Sequence, residues 1–114
     1  MIEVLCHLRD ADQFTTDRVI LMRDRDNPEI LSYDQEKLAR ERNYAAQDLR
    51  TALAEFNDTR QRHLAALESL PPEGWERPGN HKEIGAISIL TLTIHNVAHD
   101  AIHCAQIARQ LIDG

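Results

Sequence analysis

Glycine, proline, cysteine and aromatic residues are all scarce in this chain of 114 residues. It contains four glycines, four prolines, two cysteines and 4% aromatic residues. Because glycine and proline are the residues that interrupt helices, their scarcity favours long helices, and no alternation of apolar and polar residues lasts long enough to predict a strand. The cysteines, Cys6 and Cys104, lie near opposite ends of the chain. Two cysteines so far apart exclude the dense disulfide framework of a small secreted protein.

Positive charge and long apolar runs are scarce as well. Thirteen basic residues stand against nineteen acidic ones, and the net charge is −6. Without a basic cluster the chain is a poor candidate for binding nucleic acid. Its longest apolar stretches fall far short of the ~20 residues of a membrane span, and no signal-peptide pattern opens it. We therefore expect a cytoplasmic protein that binds neither nucleic acid nor membrane, folded as one domain over residues 1–114.

Helix-ending and helix-capping residues divide the chain into three long helices and one short helix. The first helix stops before Asn27-Pro28, and Pro71-Pro72 closes the third. Ser32-Tyr33-Asp34-Gln35 matches a capping box that opens the short helix. The predicted helices cover residues 2–25, a short segment that ends near residue 41, residues 44–69 and residues 86–112. The predicted fold class is all-α, an up-and-down helical bundle in which residues 72–85 form a turn-rich loop.

Apolar residues at helical spacing predict which side of each helix is buried. In the first helix these residues are Val4, Leu8, Ala11, Val19 and Met22. In the third they are Leu49, Leu53, Phe56, Leu64, Leu67 and Leu70, and in the last they are Ile94, Ala98, Ala101, Ile102 and Ala105. Since bundle helices of this length usually pack as four, a fourth wall is missing, and either a partner subunit supplies it or the chain is a shortened version of a longer design.

Six histidines are the unusual feature of the composition. Three of them, His95, His99 and His103, follow one another at steps of four in the last helix. Two imidazoles one helical turn apart can bind a single metal ion, and His7, at the edge of the buried side of the first helix, is the best candidate for a third ligand. Three histidines leave a coordination position open, as catalytic sites do. Neutral imidazole suits zinc, nickel, iron or copper, among which the sequence does not choose.

The remaining polar residues of the last helix have less specific interpretations. Judged by spacing alone, histidines near a core face are more often hydrogen-bonded core residues than metal ligands. His95 is interpreted as a residue beside the metal or along a channel to it. Gln106 and Asp100 are candidates for groups outside the ligand set, and Asp100, which falls on the side away from the site, is expected to be solvated. Cys104 and Cys6 are expected to be packing or surface thiols.

Three polar residues outside the last helix are further candidates for a role near the site. His63 and Arg60 lie near the apolar stripe of the third helix, which favours packing or hydrogen bonding. His81, in the loop, fits a site mouth or the surface equally well. The sequence shows no nucleophile with a paired base, so the catalytic residues are unknown.

Two motifs at opposite ends of the chain resemble a known family. Residues 99–107, His-Asp-Ala-Ile-His-Cys-Ala-Gln-Ile, resemble the HDxxHxxQ signature of the DinB/YfiT-like superfamily of metalloenzymes. Residues 3–8, Glu-Val-Leu-Cys-His-Leu, resemble that family's EVLxHL helix. Between them, the matching features are Tyr44, the segment 53–56 with Arg60, and the loop 75–81.

This resemblance implies a four-helix bundle that binds a divalent metal, zinc or nickel, through His7, His99 and His103. It implies a thiol-dependent S-transferase or a hydrolase acting on a small molecule, with a low-molecular-weight thiol as a partner. The alternative is a stress-associated helical dimer or binding module without turnover. Family members usually carry a helix before the EVLxHL segment. We therefore expect an exposed apolar groove that a second subunit fills in a homodimer, or else a poorly formed metal site.

Overall fold

The computed structural model describes residues 1–113, most of which are helical. The α-helices of this part of the chain are α1 (Ile2–Asp24), α2 (Gln35–Glu41), α3 (Leu49–Glu68) and α4 (Ile89–Asp113). Its strands are β1 (Glu29–Ile30), β2 (Pro78–His81) and β3 (Gly85–Ser88), and its 3-10 helices are Tyr44–Ala46 and Pro72–Glu76. The predicted all-α bundle is confirmed, with a small sheet added.

Within residues 1–113 no helix combines the length and the apolar character of a membrane span.

Aspartate side chains fix the starts of two helices. Asp34 accepts a hydrogen bond from the backbone N–H of Lys37 at 3.1 Å, so the predicted capping box on Ser32 is wrong. Asp48 accepts from the N–H of Thr51 at 2.9 Å and begins α3 at Leu49. The long helix therefore starts later than predicted, because a 3-10 turn intervenes first.

The sheet is the element that the sequence did not predict. β1 pairs with β2 in parallel, β2 pairs with β3 antiparallel, and β2 lies in the middle. β2 contains Pro78, Gly79 and Asn80, residue types that are typical of turns rather than strands. Gly79 fits because a Cβ there would come within 3.1 Å of both Ile30 and Met22. A missing side chain therefore lets this strand close over the core.

Two apolar clusters hold the helices together, and α1 contributes to both. At the sheet end of the molecule the cluster consists of Val19, Met22, Ile30, Ala66, Ile89 and Leu92. At the other end it consists of Leu5, Cys6, Tyr44 and Ala52. α1 is therefore the central helix, packed against α3 on one side and α4 on the other.

The buried sides of α3 and α4 differ from the prediction. Leu53 and Leu64 of α3 are 48% and 50% exposed, while the buried residues of that helix are Ala52, Thr59, His63 and Ala66. Ile94 and Ile102 of α4 are 62% and 67% exposed, while its buried residues are Ile89, Leu92 and Asn96. The physical reason is that α1 presents buried polar groups to both helices, and these groups select polar and small partners.

Two adjacent residues, Ile30 and Leu31, can test whether the sheet covers the core. Ile30 is 1% exposed and packs in the core, whereas the neighbouring Leu31 is 63% exposed. Ile30→Ala should lower the free energy of unfolding by about 2–5 kcal/mol, because it removes buried methyl groups and leaves a cavity. Leu31→Ala should change it by less than about 0.5 kcal/mol. Urea unfolding of the two variants measures the difference, and equal effects would mean that β1 does not cover the core.

Candidate metal centre

Three imidazole rings converge between α1 and α4. Nε2 of His7 lies 2.9 Å from Nε2 of His99. The ring centroids of His7, His99 and His103 are 4.5 to 4.9 Å apart. One ring nitrogen from each of the three lies within 4.8 Å of the others. The structure thus brings together all three histidines that the sequence pointed to.

Antiparallel packing of α1 on α4 explains why His7 reaches the other two. His99 and His103 are one turn apart and share a side of α4, as their spacing requires. Further along α1, the hydroxyl of Thr15 donates to Oδ1 of Asn96 at 3.3 Å, one turn before His99. The helices therefore keep contact along this side, which places His7 opposite the histidine pair.

The second nitrogens of two rings face oxygen atoms on α4 itself. Nδ1 of His103 donates to Oε1 of Gln106 at 3.0 Å, which leaves Nε2 of that ring as the nitrogen with a free lone pair. Nδ1 of His99 is buried and lacks a hydrogen-bond partner, and Oδ1 of Asp100 lies 3.6 Å from it. Gln106 therefore lies outside the cluster, as the sequence suggested, and is hydrogen-bonded to His103.

Burial and mutual repulsion favour the neutral forms of His7 and His99. Burial, with the neighbouring His99 and His103, lowers the pKa of His7 from 6.5 to about 4. Burial and His103 lower the pKa of His99 as well, although Asp100 acts in the opposite direction. Only a neutral imidazole can bind a metal ion, so these two rings have their lone pairs available at neutral pH. The three imidazoles and their spacing fit a divalent cation.

A cleft of about 350 Å³ opens beside His99. Polar residues from several elements line it, among them Arg18, Tyr33, His81, His95 and Asn96. His95 is exposed on α4 one turn before His99. Nδ1 of His81 accepts the backbone N–H of Glu83 at 3.1 Å, which fixes that ring at the mouth of the cleft.

A second cavity adjoins the cluster on the side of His7. Its volume is about 460 Å³, and its lining includes Glu3, Arg40 and Tyr44 besides His7. The cluster therefore lies between two openings, one reached past His99 and one past His7.

Other residues singled out in the sequence lie away from the three rings or in unexpected surroundings. Nδ1 of His63 bonds to Oδ1 of Asp12 at 2.9 Å, which confirms a hydrogen-bonding role. Arg60 binds both Asp12 and Asp100, so the expectation that Asp100 is solvated is wrong. Asp100 turns inward because Arg60 offers it a charged partner in the interface between helices.

Both cysteines are free. Cys6 is buried, and burial raises the pKa of its thiol, whereas Cys104 is exposed on α4. Neither thiol belongs to the histidine cluster, as the sequence interpretation held.

Comparison with known proteins decides the family. The family model of the DinB superfamily matches residues 1–107. The chain belongs to the DinB superfamily. Among solved structures, this DinB-superfamily chain is similar to YfiT from Bacillus subtilis, with a TM-score of 0.78 and 22% identity over 96% of this chain and 65% of that one. YfiT is described as a probable metal-dependent hydrolase with an unusual four-helix bundle topology, and the likeness establishes a shared fold.

No curated protein matches this DinB-superfamily chain. The chain spans about 65% of the length of the YfiT structure.

The lowered pKa of His7 predicts how the stability of the metal-free protein depends on pH. The unfolded state takes up a proton at its ordinary pKa of 6.5, while folded His7 resists protonation down to about pH 4. The free energy of unfolding should therefore fall as the pH drops from 6.5 to 4. In His7→Gln this contribution is absent, so the variant should lose less stability over the same interval. Urea unfolding at pH 7 and pH 4.5 with a chelator measures both losses, and equal losses would contradict the account.

Proposed function

We propose that this chain is a metal-dependent hydrolase of a small polar molecule, with His7, His99 and His103 as the ligands of its cation. The convergence of three imidazoles beside a cleft is the observation that carries the proposal. Zinc or nickel is the expected cation, as the family resemblance implies, and imidazole nitrogen suits both. Such a cation supplies Lewis acidity, which produces a nucleophile near neutral pH. The description of YfiT as a probable metal-dependent hydrolase supports the same reaction class.

The chain's own residues define where the substrate lies. Three protein ligands would leave a coordination position open, and the cleft beside His99 is the opening through which a substrate would reach it. His95, one turn away along α4 and exposed to that cleft, is placed to exchange a proton with a bound substrate. Arg18 and Asn96 add hydrogen-bond donors to the wall, so the cleft favours a polar substrate over an apolar one.

Transfer of a group to a low-molecular-weight thiol is the second candidate function. It is favoured by the cavity on the far side of His7, which offers a second reactant its own opening to the same cluster. The thiol must come from outside, because Cys6 is buried elsewhere and Cys104 faces solvent. Both reactions depend on the same cation site and differ in the nucleophile.

Elemental analysis of protein purified without chelators or a histidine tag tests the site first. The wild type should carry close to one equivalent of zinc or nickel, and His99→Ala should lose most of it. His95→Ala, a matched change one turn away on α4, should keep its metal. Metal-free wild type, or equal metal in His99→Ala, would favour the helical module without turnover.

Activity assays then separate the two reactions. Hydrolysis of small ester and amide substrates should fall roughly 100-fold or more in His99→Ala, as expected when Lewis-acid assistance is lost. Turnover that requires an added thiol would instead identify the transfer reaction. No metal-dependent turnover in either assay would contradict the enzymatic proposal.

We further propose that a second copy of the chain covers the outer face of α4. This face consists of Leu90, Ile94, Val97, Ala101 and Ala105, all exposed. Apart from histidines, Asp100 is the only charged residue between positions 89 and 108, and it turns inward onto Arg60. Exposed apolar patches of this kind are usually covered by a partner. In a symmetric dimer the same face meets itself, and an uncharged face avoids repulsion between like charges.

Sedimentation of the wild type at high micromolar concentration tests the pairing. The wild type should sediment as a dimer, and the double variant Ile94→Glu, Val97→Glu should be a folded monomer, because pairing would bury unpaired carboxylates. Leu31→Glu, at an equally exposed apolar residue outside α4, should remain dimeric. A monomeric wild type would overturn the dimer and leave the metal proposal intact.

A further inference from the structure

A chain of charged and polar side chains runs through the interior from α3 to the histidine cluster. Its members are Asp12 on α1, His63 and Arg60 on α3, and Asp100 on α4. The carboxylate of Asp12 is 1% exposed and accepts from Nδ1 of His63 at 2.9 Å. Arg60 places Nη2 3.2 Å from Oδ1 of Asp12 and uses the same nitrogen to bind Oδ2 of Asp100. The network thus connects three helices and ends beside His99.

Each member of this network has a charged or hydrogen-bonding partner, and the partners of Asp12 and Arg60 favour their charged forms. Burial alone would raise the pKa of Asp12, but hydrogen bonds from His63 and Arg60 outweigh it and hold that pKa below its usual value. Arg60 is likewise held charged, since its two carboxylate partners outweigh its burial and raise its pKa. Buried charges are expensive unless paired, so the geometry of the network is well determined.

One buried atom at the end of the network lacks a partner. Nδ1 of His99 makes no hydrogen bond, and an unsatisfied buried donor is costly. Oδ1 of Asp100 lies 3.6 Å away, and the other oxygen of that carboxylate is occupied by Arg60. A small rotation of either side chain brings Oδ1 within hydrogen-bond distance. Contacts of this kind are often long in unliganded sites and shorten when the site is filled.

We propose that Asp100 is a positioning residue that accepts a hydrogen bond from Nδ1 of His99 and turns the Nε2 lone pair of that ring toward the cation. Arg60, itself anchored on the buried Asp12–His63 pair, holds Asp100 in place. The inference rests on the proposed metal site. Metal-bound histidines generally donate their second N–H to a carboxylate or carbonyl, which fixes both tautomer and orientation.

The same tautomer accounts for the contact between His7 and His99. With the proton of His99 on Nδ1, its Nε2 is an acceptor. Nε2 of His7 can then donate to it across the 2.9 Å that separates them. The opposite tautomer would reverse the donor in this contact and leave Nδ1 of His99 as a buried acceptor facing a carboxylate. The carboxylate beside Nδ1 therefore favours a proton on that nitrogen, and the contact between the two rings is compatible with it.

Asp100→Asn is the informative substitution because it keeps the shape of the side chain. The donors of Arg60 will hold the amide oxygen on their side, which turns the amide NH₂ toward Nδ1 of His99. That ring must then accept at Nδ1 and carry its proton on Nε2, the nitrogen needed for the cation. Asp58→Asn, at an exposed residue of α3, is the matched control.

Zinc affinity, measured by competition with a chromophoric chelator, gives the first readout. Asp100→Asn should bind zinc roughly 10- to 100-fold more weakly than the wild type, the usual effect of removing such a partner. Asp58→Asn should bind as the wild type does, and urea unfolding of each metal-free variant checks that it is folded. Equal affinity of folded Asp100→Asn and wild type would overturn the proposal.

Ring ¹⁵N chemical shifts of the metal-free wild type give a second readout that needs neither metal nor a variant. His99 should show a protonated Nδ1 and an unprotonated Nε2, and the pattern should reverse in Asp100→Asn. A wild-type His99 protonated on Nε2 would overturn the positioning role, even if Asp100→Asn does not fold. Failure of the wild type to bind zinc would contradict the proposed function instead, so the two failures are distinguishable.

Discussion

The packing of α1 between α3 and α4 is the interaction on which the rest of this structure depends. It joins both apolar clusters, and it brings His7 to His99 across 92 positions of sequence. The sheet closes one end of this packing by laying Ile30 over the core. Because the histidine cluster lies on the surface where α1 meets α4, any change that shifts one helix along the other changes the distances among the rings.

The interior around α1 is unusually polar, and this decides which residues face outward. Arg9, Asp10 and Asp12 are all nearly buried, and each is paired, with Tyr44 donating its hydroxyl to Asp10. Buried charges require partners of opposite charge, so α3 directs Arg60 inward and leaves leucines exposed. The charged interior and the exposed apolar face of α4 are thus two consequences of one packing arrangement, and the charged interior reaches the histidine cluster through Asp100.

Local signals predicted most of the helices and the histidine cluster, whereas features set by tertiary contacts could not be predicted from the sequence. The helix-ending prolines and the spacing of His99 and His103 are signals within a few residues, and His7 was predicted from its place on the first helix and from the family motif. The sheet escaped because β2 holds its place through the space left by Gly79, not through an apolar pattern. The inward turn of Asp100 escaped because its partner, Arg60, lies on another helix, and helical periodicity carries no information about such a partner.

X-ray absorption at the metal edge of the zinc- or nickel-loaded protein shows whether the three histidines bind one cation. We expect three imidazole nitrogens bound at about 2.0–2.1 Å for zinc, with the remaining positions filled by light, exchangeable ligands. His7→Gln should reduce the imidazole count by one. A metal bound by sulfur, or by a single imidazole that persists in His7→Gln, would contradict the account, because the cation would then lie outside the surface where α1 meets α4.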